Sequence, residues 1–136
     1  MKIESVLVLR EETVDSVGNK FTEKCLKVLH GKEVPVVLDF HPDKPIGKAL
    51  LRYVVRTGLV ADIEFAKGES VNSLMGARYP AVQVKVFKQR KEDKISVMEE
   101  VDVLLVGVTA SVNTDATIPP LYFTVDGRVW QDEEWS

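Results

Sequence analysis

The chain has 136 residues, 45% hydrophobic and 29% charged, with 8 glycines and 6 prolines. That is the size and mix of one folded domain, which excludes a disordered or collagen-like polymer. Its 18 basic and 21 acidic side chains leave a formal charge of −3, so no global field gathers nucleic acid or an anionic membrane, and the lone Cys25 can form neither an internal disulfide nor a thiolate zinc cage.

Ile3 to Leu9 is rich in aliphatic and β-branched residues and closes on Arg10-Glu11-Glu12, which predicts a first strand. Within it, Val6 to Leu9 is too short for the apolar core of a signal peptide. After the turn-like Asp15-Ser16-Val17-Gly18-Asn19, the residues Phe21, Cys25, Leu26, Val28 and Leu29 recur near helical spacing. With Gly31 as a stop, they predict one short helix over 22–30. Val34 to Phe40 reads as a strand whose Pro35 favours its start or an edge, and His41-Pro42-Asp43-Lys44-Pro45 reads as a loop. Ile46 to Val55, the turn Arg56-Thr57-Gly58 and the alternation from Leu59 to Ala66 predict a hairpin with one wetter face, Ile63 pointing inward and Asp62 on the tolerant side. Ser70 to Ala77 suggests a second short helix, although Gly68 and Gly76 limit it.

Ala81 to Phe87, Ile95 to Val108, Leu121 to Val125 and Arg128 to Trp130 add strands, with Asp126-Gly127 as a hairpin turn. The longest uncharged stretch, Val103 to Thr114, falls well short of the roughly 20 residues of a membrane helix. The expected fold is mainly β: a single closed or nearly closed β-barrel of about seven or eight strands with one or two short helices. It occupies residues 1–130, followed by an acidic C-terminal tail over 131–136.

Few residues suggest chemistry. His41 follows a buried strand in a proline-bracketed loop, where a fixed imidazole could act as a general base, but the sequence shows it no partner. His30, at the end of the expected helix, suits a contact with terminal carbonyls, and its spacing to His41 matches no compact metal motif. Ser70 and Ser73 flank a helix start, where a hydroxyl caps orphan amides more often than it attacks a substrate. Glu99-Glu100 and Glu133-Glu134 read as solvated charge, and single glycines give no phosphate cradle. No cofactor and no metal are expected. Lys85, Lys88, Arg90, Lys91 and Lys94 form the one basic cluster, interleaved with Phe87 at a hairpin tip. Opposite in charge is the tail with Glu133 and Glu134, where Trp130 and Trp135 supply apolar anchors.

Segment order carries a family resemblance. Val14-Asp15-Ser16-Val17-Gly18 precedes a short helix, and Val34-Pro35-Val36-Val37-Leu38 leads through a polar loop into Pro45-Ile46-Gly47-Lys48-Ala49. Gly58-Leu59 opens a strand, Tyr79-Pro80-Ala81-Val82 follows, and Val106 to Ala116 includes Asn113 and Ala116 of a closing Val-x-x-Pro-Ala-Asn-x-x-Ala pattern. In this order the segments resemble the prohead (capsid-maturation) proteases of tailed phages, relatives of the herpesvirus assemblins, over about Val14 to Ala116.

That resemblance places a catalytic histidine at Phe40, with His41 one position late and so on the other strand face. It places the serine near Val82 or Gln83 and the later acidic residue near Leu104, so all three roles lack their chemistry. It therefore implies a non-enzymatic phage structural protein: an auxiliary, cement or head-completion protein of the capsid or portal, found in the virion and assembled in the host cytoplasm. Its expected partners are capsid or portal proteins, with room for self-association, through Lys88, Arg90, Lys91, Trp130, Glu133, Glu134 and Trp135. No membrane partner is expected. The alternative is an active serine-type maturation protease using His41 with Ser70 or Ser73, and the third reading is a small nucleic-acid-binding β-barrel.

Overall fold

The computed structural model describes residues 2–14, 18–38, 43, 45–66, 79–109, 122–125 and 128–131. In chain order its elements are β1 (Lys2–Arg10), β2 (Asn19–Phe21), α1 (Glu23–Lys27), β3 (Glu33–Leu38), β4 (Pro45–Val54), β5 (Gly58–Phe65), β6 (Tyr79–Glu92), β7 (Ile95–Thr109), β8 (Tyr122–Val125) and β9 (Arg128–Gln131). The fold is mainly β. A seven-stranded sheet runs β1-β5-β4-β3-β7-β2, with β6 paired to β7, and β8-β9 forms a separate hairpin beside β6.

The sheet is mixed, because β2 and β3 run parallel to β7 at successive stations along it, Asn19–Phe21 on Ser96–Met98 and Val36–Leu38 on Val106–Val108. It curls strongly into a half-barrel and is not closed. This corrects the expected barrel: among the described residues, the backbone pairing between the end of β1 and β2 is one isolated parallel bridge, Glu11 with Phe21.

The curl wraps one core that includes Leu9, Phe21, Leu26, Val36, Leu51, Leu59, Ile63, Val82, Val103 and Met98. Two glycines let strands approach closely. A Cβ on Gly47 would sit 2.3 Å from the Glu64 carbonyl oxygen, and one on Gly58 would sit 2.1 Å from that of Leu9, where φ is also +135°. Pro35 lies in the interior strand β3 without interrupting a ladder. Lys32 faces β4, accepting from Leu51, so the alternating backbone turns Pro35 toward β7, where pairing begins only at Val36.

The helix is shorter than the apolar spacing suggests. Thr22 caps it, its Oγ1 accepting the Cys25 N–H at 3.1 Å, and a Glu23–Lys27 pair at 2.5 Å spans its single turn. After Lys27 the N–H groups of Leu29 and His30 bond three residues back, to Leu26 and Lys27, and the turn ends at Gly31 with φ +86°. β2 ends at Phe21, just before the expected helix, and Val28 to His30, expected to continue it, form a turn instead. The expected helix over Ser70–Ala77 and the Asp126-Gly127 turn lie outside the described residues. Among the described residues no helix is long and apolar enough to cross a membrane.

Candidate functional site

The basic cluster sits on a long ribbon. β6 continues past Phe87 to Glu92, and a two-residue turn at Asp93-Lys94, with Asp93 at φ +57°, leads into β7. Pairing along it slips three times. Between Gln83–Leu105 and Val84–Val103 the extra residue is Leu104. Between Val86–Val101 and Lys88–Glu100 it is Phe87, and between Lys88–Glu100 and Gln89–Met98 it is Glu99. Each bulge coils the ribbon and re-aims its extra side chain. As a result Phe87 is 57% and Leu104 36% exposed, while Val82, Val84, Val101 and Val103 remain in the core.

Much of the cluster's charge is spent locally. Arg90 pairs with Glu92 and Glu99, both at 2.6 Å, and Lys88 reaches Glu99 at 3.5 Å. Lys91 donates to the Ser96 hydroxyl at 2.7 Å, and Lys85 lies 5.2 Å from the centre of the Phe87 ring. The bond from Arg90, followed by its charge, holds the Glu92 carboxyl below the usual range. Phe87 and Leu104 are thus exposed on the ribbon, and Lys88 and Arg90 are paired with carboxylates, which makes it less of a positive patch than its composition suggests.

Trp130 belongs to β9, opposite Phe123, and Gln131 is that strand's last residue, paired with Tyr122 rather than part of a tail. Glu133, Glu134, Trp135, Phe40, His41, Ser70 and Ser73 lie outside the described residues. Of the positions the family resemblance assigns to catalysis, Val82 and Gln83 are both buried in the β6–β7 ladder, Gln83 at 3% exposure, and Leu104 is the outward bulge residue. Cys25 is no substitute nucleophile: burial raises its thiol pKa, and its Sγ donates to the Thr22 carbonyl at 3.2 Å. Among the described residues no group of three His, Cys, Asp or Glu stands together as a metal site.

Two polar networks escaped sequence reasoning. Asp62, expected on a tolerant face, holds Arg52 through Nε at 2.6 Å and Nη2 at 3.0 Å and accepts the Ser5 N–H at 2.9 Å. It thereby fixes the β1 bulge, where Ser5 has φ +58°. The Arg52 bonds drive the Asp62 carboxyl below its ordinary value, against the opposing effect of burial. His30, expected at helix carbonyls, instead accepts the Tyr53 N–H through Nδ1 at 3.0 Å, in the turn after the helix whose Gly31 N–H donates to Leu51 of β4. The Tyr53 hydroxyl donates to Glu11 at 2.8 Å, and desolvation together with that bond pushes its pKa up to about 12. No sequence period announces either network, since each joins residues far apart in the chain.

Comparison with known protein families, with curated proteins and with solved structures finds no match.

Proposed function

We propose that this chain is a non-enzymatic assembly protein of a tailed-phage particle, an auxiliary, cement or head-completion component of the capsid or portal. It is built on a half-barrel like that of the prohead proteases and works by contact rather than covalent chemistry. One observation carries the reading: where the resemblance calls for the nucleophile, Val82 and Gln83 are buried ladder residues, neither able to form an acyl intermediate. A protease needs a nucleophile, a base and an orienting group in mutual reach, and Phe40, Val82 and Leu104 supply none of the three.

Contact falls to the β6–β7 ribbon, whose bulges turn Phe87 and Leu104 outward. Large exposed apolar side chains on a ribbon that also carries paired charges can anchor a protein partner while the ion pairs select its register. The same ion pairs count against nucleic acid, since Lys88 and Arg90 are already engaged with carboxylates.

The test is incorporation into heads assembled from the chain's own phage gene cluster, followed by sedimentation. The intact chain should travel with the particles, and Phe87→Ser with Leu104→Ser should leave it folded but in the unbound fraction. Undiminished incorporation of the double variant would remove the ribbon from the contact, and absence of the intact chain from particles would defeat the reading.

A further inference from the structure

Where the curled sheet approaches its own beginning, the Glu12 N–H donates to the Phe21 carbonyl at 2.7 Å, and the Glu12 carboxylate accepts the Glu23 N–H at 2.9 Å and lies 3.9 Å from the Lys20 ammonium. Beyond β1, the Glu11 N–H donates to the Thr57 carbonyl at 3.1 Å, and Glu11 forms the single bridge with Phe21. Tyr53 ties this end to β4 through its hydroxyl on Glu11. The other tie of Tyr53 is its backbone. Alternate residues of β4 face β3, and Leu51 there donates to the Lys32 carbonyl at 2.8 Å and accepts from the Gly31 N–H at 2.7 Å. Tyr53, two residues on, points its N–H to the same side, and its partner is the imidazole Nδ1 of His30.

We propose that His30 is an acid-sensitive latch between the turn after α1 and β4, extending the β3–β4 ladder by one rung only while its Nδ1 is unprotonated. A neutral imidazole accepts through one nitrogen, whereas an imidazolium has only N–H donors. Protonation of the ring therefore removes the rung and releases the Tyr53 amide, while β4 keeps its backbone pairing with β5 through Val54. The charged side chains around the Tyr53–His30 bond are Lys27 of α1, 5.7 Å from the centre of the Tyr53 ring and paired with Glu23, and Glu11 from beyond β1 on the Tyr53 hydroxyl; Arg56 of the β4–β5 turn contributes only its backbone. Imidazole ordinarily changes charge between about pH 5 and 8, and none of the other side-chain types gathered here does.

Amide hydrogen exchange on the full chain, corrected for intrinsic rates and read at Tyr53 and Leu51, tests the latch. Between pH 8 and pH 5, protection of the Tyr53 amide should fall roughly 3- to 10-fold, the size of one net hydrogen bond, while Leu51 holds. His30→Asn places a carboxamide oxygen near the Nδ1 position and should abolish the fall, whereas His30→Ala should leave Tyr53 weakly protected at both pH values. Glu11→Gln should retain the fall. The proposal is overturned if Tyr53 protection is independent of pH, if Leu51 falls with it, if the fall survives in His30→Ala, or if Glu11→Gln removes it.

Discussion

The β4–β5 hairpin keeps continuous register from Gly47–Phe65 to Val54–Gly58, whereas the β6–β7 ribbon slips three times along its length. In the first, every second residue of β4 and β5 meets the core, and glycines allow backbone contact where a side chain would collide. In the second, extra residues break the alternation and two large apolar side chains emerge on the outside. Regular pairing concentrates burial, and bulged pairing trades some of it for a coiled, presentable surface. Substitutions in the two regions should therefore separate stability from assembly.

The largest effect belongs to Ile63→Asp, which places an unpaired charge at a fully buried position of β5 and should destabilise the fold by at least about 4 kcal/mol. Denaturant titration would show this as failure to fold, and a normal transition would mean the inward face is misassigned. Gly58→Ala comes next, at about 2–4 kcal/mol, because its new methyl meets the Leu9 carbonyl in a backbone region that other residues avoid. A thermal shift as small as that of an exposed substitution would refute the close approach.

Asp62→Ala should cost about 1–2 kcal/mol, reduced from the value of a buried pair because Arg52 is partly solvated. Its carboxyl is depressed in the folded state, so its contribution is complete above the unfolded carboxylate range and disappears as pH falls below it. The difference between the intact chain and Asp62→Asn should consequently narrow in acid, and a constant difference would contradict the sign. At the small end, Phe87→Ser should change stability by less than about 0.5 kcal/mol, and a large loss would make the ribbon part of the core.

Strand composition made most of the fold legible. Ile3–Leu9, the hairpin from Ile46 and the long Ile95–Val108 run all correspond to strands, within a residue or two at their ends. β2 was hidden because Phe21 also fits a helical period, and only tertiary pairing with Met98 decides between them. The second half of β6 was hidden because Lys88-Gln89-Arg90-Lys91 has no apolar alternation, its pairing being carried by backbone bonds and cross-strand charge. Closure was overestimated for a related reason: strand count is written in local composition, whereas the meeting of the first and last strands depends on accumulated twist. Of the site, the basic residues were readable but the pairing of Lys88 and Arg90 with Glu99 was not, because Glu99 reaches them only once a bulge shifts the register.

Labelling the purified chain with a serine-reactive fluorophosphonate, in parallel with Ser70→Ala, Ser73→Ala and His41→Ala, tests the central claim most directly. The account predicts no covalent adduct on any of the four proteins. An adduct on the intact chain that is lost both in His41→Ala and in one of the serine variants would establish an active protease and contradict it.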